Sequence, residues 1–313
     1  MPEMLFIQNV STFVCHLPMK KDLLKNNLLL HLVVIILGFT AILGKLILLP
    51  AVELVWYRMM IAFISLIIII LIFKQPIRLP IKNIMHLSLI GVIIAAHWIC
   101  FFQAIKVSNV SVTLGCLSVT TLFTSFLEPL INRKKISLLE VIIGIIIILG
   151  IYIIFRFETR YVAGIILTIV CAFLASLFSV LNKKISLHYE PNVTTFYEML
   201  SGFVVISLYV LIAQGAQAFS NTPTLNDLIY LLILGIICTA FAFSATVKIM
   251  QKLSAYQVVL AINLEPVYGI IAAYFIFGES EHMTTEFYIG ASIILLSVVL
   301  YTFIKSRNRM PVK

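Results

Sequence analysis

The chain has 313 residues, of which 62% are hydrophobic and 11% charged, with a formal net charge of +9 and a mean hydropathy of +1.12. A soluble domain carries ~25% charged residues, so this composition excludes a soluble globular enzyme, a DNA-binding factor and a disordered scaffold, and leaves an integral membrane protein. The basic excess sits mostly between apolar runs, which points to membrane orientation and not to nucleic acid.

Ten apolar segments follow one another at about 28–49, 54–73, 84–103, 108–128, 137–156, 162–181, 193–213, 227–250, 255–277 and 286–304. Each is close to the ~20 residues that cross the hydrocarbon as a helix. They are too long for strands and lack polar alternation, and in lipid a helix satisfies its own backbone. The expected fold is all-α, with ten transmembrane helices in one membrane domain. Residues 1–27 read as a cytoplasmic tail. Met1 to Pro18 has no basic stretch leading into a clean apolar core, so it is a poor signal peptide; Met19, followed by Lys20-Lys21-Asp22, is the expected start. Residues 305–313 read as a basic cytoplasmic tail. With both termini on one side, 17 Lys and Arg fall on that side and three (Lys106, Arg156, Arg160) on the other, while Lys45 and Arg58 lie in or near spans. The positive-inside rule then places both termini in the cytoplasm of a cell with an inner membrane.

A charge in the hydrocarbon costs ~2.5–3.5 kcal/mol on insertion scales, so intramembrane polar residues should face a cavity, a partner or the interface. In helix 1, Lys45 reads as an interface residue that could pair with Glu53. In helix 2, Arg58 follows Trp56 and Tyr57; it is either a gate or charge partner of Glu198, or an interfacial anchor beside an aromatic belt. In helix 3, His97 and Trp98 lie in the outer half. His86 is eleven residues earlier, too far along the axis to share a metal with His97; His97 binds solute, titrates, or packs. Helix 4 carries Thr113, Ser118, Thr120, Thr121, Thr124 and Ser125, which either permit close packing or line a polar cavity. At its end Pro129 stops the helix, and Glu128 is expected to pair locally with Arg133 to Lys135. Gly144, Gly150 and Gly290 read as packing sites in helices 5 and 10, with a homodimer face as one use. In helix 7, Glu198 sits at the depth that matches Arg58. In helix 9, Glu265 lies near the midplane, and Pro266 removes a backbone donor beside it. That pair makes a substrate or proton site, or a structural carboxyl bonded to a neighbouring helix; Asn263 lies two residues away on another face. Four of the five cysteines lie in apolar runs, with no metal spacing, so neither a metal nor a cofactor is expected.

The second half echoes the first. Lys106-Val107-Ser108 matches Lys252-Leu253-Ser254, and at the same offset Val112, Glu140 and Gly144 pair with Val258, Glu286 and Gly290. Trp56-Tyr57-Arg58-Met59 likewise resembles Phe196-Tyr197-Glu198-Met199. Two five-helix copies, at 28–156 and 162–304, follow. Five is odd, so the second copy inserts upside down, an arrangement characteristic of secondary transporters.

With Tyr57-Arg58-Met59, the turn Gln103 to Ser111, Asn263-Leu264-Glu265-Pro266-Val267-Tyr268-Gly269, Phe277-Gly278-Glu279 and Gly290, the chain resembles the drug/metabolite transporter superfamily, EamA type. The resemblance runs from about 28 to 304. It implies a carrier of small organic solutes working by alternating access, often outward. The first copy departs from the pattern, with Thr120 opposite Pro266 and Asn132-Arg133 opposite Gly278-Glu279. Residues 28–44 lack the membrane Glu of the four-helix multidrug relatives. Helices 9 and 10 lack the basic residues that sugar-phosphate relatives carry. The sequence therefore reads as an exporter of amino-acid-like or drug-like solutes, with helices 3, 4, 8 and 9 around the cavity. Glu265 is central, with His97, Trp98, Thr120 and Asn263 around it and Arg58 and Glu198 in second rank. The expected partners are a small-molecule solute and the lipid bilayer. The alternative is an integral membrane enzyme or a non-transporting assembly partner; the spans offer no catalytic constellation for the former.

Overall fold

A computed structural model describes residues 28–131, 133, 138–186, 189–215, 222–250, 262 and 264–307. The expectations for residues 1–27, Asn263 and the tail after Arg307 lie outside the described residues. The fold is all-α and multi-spanning. Its helices are α1 (Leu28–Leu46), α2 (Ala51–Ile72), α3 (Ile81–Val107), α4 (Val110–Ile131), α5 (Leu138–Phe157), α6 (Val162–Ser186), α7 (Pro191–Gln214), α8 (Leu225–Ile249), α9 (Glu265–Phe277) and α10 (Thr285–Arg307). Seven of the described helices, α1 to α4 and α6 to α8, are long and apolar enough to cross a membrane. Large apolar side chains such as Ile212 (84% exposed) and Phe275 (81%) stand on the outer surface, where lipid is the only solvent that suits them.

The helix ends follow from local chemistry. Pro50 and Pro80 precede α2 and α3, and Pro191 opens α7, where the missing N–H costs nothing. The Asn109 side chain accepts from the Val112 amide at 2.8 Å and starts α4. Thr224 and Asp227 form a capping box at α8. Gly278 ends α9 at φ +56°, a conformation glycine adopts without a Cβ penalty.

Two helices are irregular. α4 breaks at Ser118 and Val119 and resumes at Thr120, where a continuous helix was expected. Its lower half runs through Pro129 to Ile131, so that proline does not end it. α8 carries a π-helical stretch over Ile233–Phe241, in which the Thr239 hydroxyl donates to the Leu234 carbonyl at 2.7 Å.

α3 packs on α6 and α7, α2 on α7 and α8, α5 on α10, and α4 on α6 and α9. α1 reaches α9 through Gly38 and Gly269, and α8 through Leu30, Val33 and Val34. Gly150 and Gly290 face one another: a Cβ at Gly150 would lie 3.0 Å from the Gly290 carbonyl oxygen. Gly144 meets Leu122 and Phe126. These three glycines pack against other helices of the same chain.

The ends of α1, α3, α5 and α9 and the starts of α4 and α10 meet at one end of the molecule. There Glu281, 1% exposed, accepts from the amides of Val110 (3.1 Å) and Ser111 (2.8 Å) and from Lys45 Nζ (2.7 Å). A carboxylate at a helix N-terminus satisfies orphan donors and complements the dipole. Lys45 thus pairs with Glu281 and not with Glu53. Nearby, Glu158 accepts from the Thr284 amide (3.1 Å) and hydroxyl (2.8 Å). At the other end Glu128 pairs with Lys183 on α6 at 3.0 Å, since α4 and α6 lie side by side; Lys134 and Lys135 of the local pairing expected lie outside the described residues. Glu281→Gln is expected to destabilise the fold by about 3 kcal/mol or more, read as a lowered thermal midpoint, because it strands Lys45 and a backbone donor at once. Lys45→Met, whose side chain is 26% exposed, should cost markedly less in the same melting assay.

Candidate functional site

A cavity of about 230 Å³ lies in the middle of the bundle. Seven helices wall it. α3 supplies His97, Trp98 and Phe101; α4 supplies Leu117, Ser118, Thr120, Thr121 and Thr124; α8 supplies Phe243, Thr246 and Val247; α9 supplies Glu265 and Pro266, preceded by Ile262. These are the helices expected. α1 (Leu37, Thr40) and α6 (Ala175, Phe178, Ser179, Asn182) close it, neither of which the sequence pointed to, and α2 adds Arg58, a second-rank candidate of the sequence.

Arg58 is 1% exposed, so it does not snorkel to an interface. Its guanidinium carbon lies 3.6 Å from the centre of the Trp98 ring and 5.6 Å from that of Phe102. Nε donates to the Thr239 hydroxyl at 2.7 Å, and Nη2 reaches the Cys238 carbonyl at 3.5 Å. Nη1 is buried with no hydrogen-bond partner. The π stretch of α8 thus presents both acceptors that hold this arginine. Stacking on indole is a strong cation–π arrangement when desolvated.

Glu265 lines the same cavity at the start of α9, with Pro266 in the first turn, where proline fits. Arg58 and Glu265 both line the cavity, yet no ion pair closes between them. A basic and an acidic side chain therefore face one small space without contact.

His97 is fixed: its Nδ1 lies 2.9 Å from the Cys171 carbonyl and 3.1 Å from the Cys171 sulfur, and its ring packs against Phe101 and Phe178. It forms wall, with the hydrogen bond of a packing histidine. Thr120 and Thr124 line the cavity; Thr120 donates to the Leu117 carbonyl and Thr124 to the Ser176 hydroxyl. Thr113 and Ser125 do not line it and donate to carbonyls of their own helix region. Glu198 does not line the cavity; it is 0% exposed and lies behind Asn182. The expected Arg58–Glu198 partnership is not formed, because Arg58 turns toward Thr239 and Trp98. Asn182 was missed, although a lone Asn at the close of an apolar run was a readable signal. Among the described residues no cluster of three or more His, Cys, Asp or Glu is arranged to hold a metal.

Comparison with known proteins agrees with this architecture. The model of the EamA-like transporter family matches residues 24–156 and again 162–303. An uncharacterized transporter of Clostridium kluyveri is 24% identical over 247 residues, covering 75% of this chain and 77% of its own. One of Archaeoglobus fulgidus is 25% identical over 207 residues, covering 64% and 70%. A solved crystal structure aligns with a TM-score of 0.65 at 15% identity, over 90% of this chain and 99% of that one, a likeness of fold alone. Two matches to one family model, laid end to end over most of a multi-pass bundle with a central cavity, make the chain a member of the EamA-like transporter family and not an enzyme.

Proposed function

We propose that this protein is a secondary carrier that exports small zwitterionic metabolites of amino-acid size across a bacterial-type inner membrane, with both termini cytoplasmic. It consists of two inverted five-helix copies that alternate access to the cavity. The observation that carries the reading is Arg58 with an unused Nη1 and Glu265 across the same cavity, with no ion pair between them. A guest carboxylate suits the first and a guest ammonium the second, and each bond is strong in a dry site. Trp98, Phe101, Phe178 and Phe243 offer the apolar wall for a side chain. A cavity of about 230 Å³ is below the ~300–1,000 Å³ of drug-sized pockets, which favours the amino-acid-like solute over larger compounds.

The packing supports the inverted copies. When α1 to α5 are exchanged with α6 to α10 in order, the pairs α3–α6, α2–α8 and α4–α6 become α8–α1, α7–α3 and α9–α1, all of them formed, and α2–α7, α4–α9 and α5–α10 map onto themselves. The break at Thr120 and the start of α9 at Glu265 also correspond. The basic residues favour the cytoplasmic termini.

The test is a thermal-shift panel in detergent. L-phenylalanine is expected to stabilise the protein, while L-phenylalaninamide, without the carboxylate, and N-acetyl-L-phenylalanine, without the ammonium, should not. In Glu265→Gln the stabilisation by L-phenylalanine should fall at least tenfold in apparent affinity, about 1.4 kcal/mol. Equal stabilisation by all three compounds would reject a zwitterion site.

A further inference from the structure

A second polar cluster lies outside the cavity wall. Glu198 on α7 is 0% exposed, and both of its carboxyl oxygens are buried without a hydrogen-bond partner. Thr194 and Thr195, at i−4 and i−3, share its helix face, and their hydroxyl oxygens are also buried and unpartnered. Asn182 on α6 is the polar side chain beside Glu198, and its own Oδ1 is buried and unpartnered. Asn182 also lines the substrate cavity. It is the side chain common to both places.

A buried carboxylate with no counter-charge costs several kcal/mol. The neighbouring elements supply none among the described residues. Arg58 of α2 is committed to Thr239 and Trp98, His97 of α3 to Cys171, and Lys183 of α6 to Glu128. His86 of α3 and Lys248 of α8 are exposed. What neutralises Glu198 is therefore a proton or a metal cation from solution. Sodium sites in carriers use backbone carbonyls freed by unwound helices, and α7 is helical throughout Pro191–Gln214. A proton needs none.

We propose that Glu198 is the proton-coupling site of the carrier, separate from the substrate cavity and joined to it through Asn182. The proton binds one carboxyl oxygen and leaves Asn182 free to donate into the cavity. Its loss leaves a carboxylate that draws the Asn182 N–H away. The carboxylate and the solute then compete for one amide N–H, so a bound proton raises the affinity for the solute and the solute raises that for the proton by the same factor. The coupling rests on the carrier reading; the proton on Glu198 does not.

Infrared difference spectra of the full chain in lipid nanodiscs, taken between alkaline and acid pH, test the proton directly. A protonated-carboxyl band is expected that Glu198→Gln diminishes, Glu198→Asp shifts and Glu265→Gln leaves in place. An unchanged band in Glu198→Gln overturns the proposal whether or not transport is seen. In proteoliposomes, Glu198→Gln should keep L-phenylalanine exchange at equal pH and lose about tenfold or more of its accumulation under a pH gradient. Accumulation driven by sodium and indifferent to pH overturns it as well. Failure of wild-type exchange would count against the zwitterion reading, and the infrared band alone would then decide the proton site.

Discussion

Arg58→Met is expected to abolish binding of carboxylate-bearing solutes while the protein still folds. Met fills much of the arginine's volume and packs well on indole, so Trp98 keeps a neighbour. What disappears is the only cation in the cavity wall among the described residues. Losing one partner of a desolvated charge pair costs about 2–5 kcal/mol, so an affinity loss of at least about thirtyfold should appear in the thermal-shift titration with L-phenylalanine. Arg58→Lys should fail nearly as badly. An ammonium cannot hold the Thr239 hydroxyl and the Cys238 carbonyl and also present a free N–H in a fixed plane. Retention of wild-type affinity in Arg58→Lys would make the residue a point charge and nothing more.

The largest effect on folding is expected at Gly91. A Cβ there would run into the Glu198 carbonyl oxygen and the Ser201 hydroxyl, and across the same contact a Cβ on Gly202 would lie 2.9 Å from the Gly91 carbonyl oxygen. The α3 and α7 backbones touch at this level. A backbone carbonyl cannot swing aside as a flexible side chain can. Overpacking of cores costs ~1–3 kcal/mol, and a collision with main chain should exceed that range. Gly91→Val should give little monodisperse protein on gel filtration, with a sharply lowered melting midpoint. Leu89→Ala, on the same helix but 56% exposed to the lipid side, should leave both unchanged. The damage reaches the site as well, because His97 and Trp98 lie less than two turns further along α3.

The spans were legible because their signal is composition over many residues. The apolar run at 54–73 and the helix Ala51–Ile72 differ by three residues at the start, which Pro50 fixes, and by one at the end. The site was half legible. Glu265 stood out as a charge in an apolar run, and so did Arg58, but hydropathy does not say which way a helix face turns. The interfacial reading of Arg58 used Trp56 and Tyr57 as a belt; in the fold Trp56 donates to Ser207 at 2.8 Å on α7 and Arg58 points the other way. The pairs Lys45–Glu281 and Glu128–Lys183 join residues far apart in the chain, and nearest-neighbour reasoning could not find either. The break in α4 left no trace, since Ser118, Val119 and Thr120 carry neither glycine nor proline.

The wide coil over Ile233–Phe241 has a phase consequence. Residues in an i→i+5 pattern advance less rotation per step than in the α pattern. Regularising that coil would screw Phe243, Thr246 and Val247 around the axis, on the order of 100° for each residue of register gained. Their aromatic and hydroxyl faces would then leave the cavity for the bilayer, and Thr239 would let go of Arg58. The nine residues thus act as an angular spacer, and a deletion within them would be felt at the cavity before it was felt at the helix.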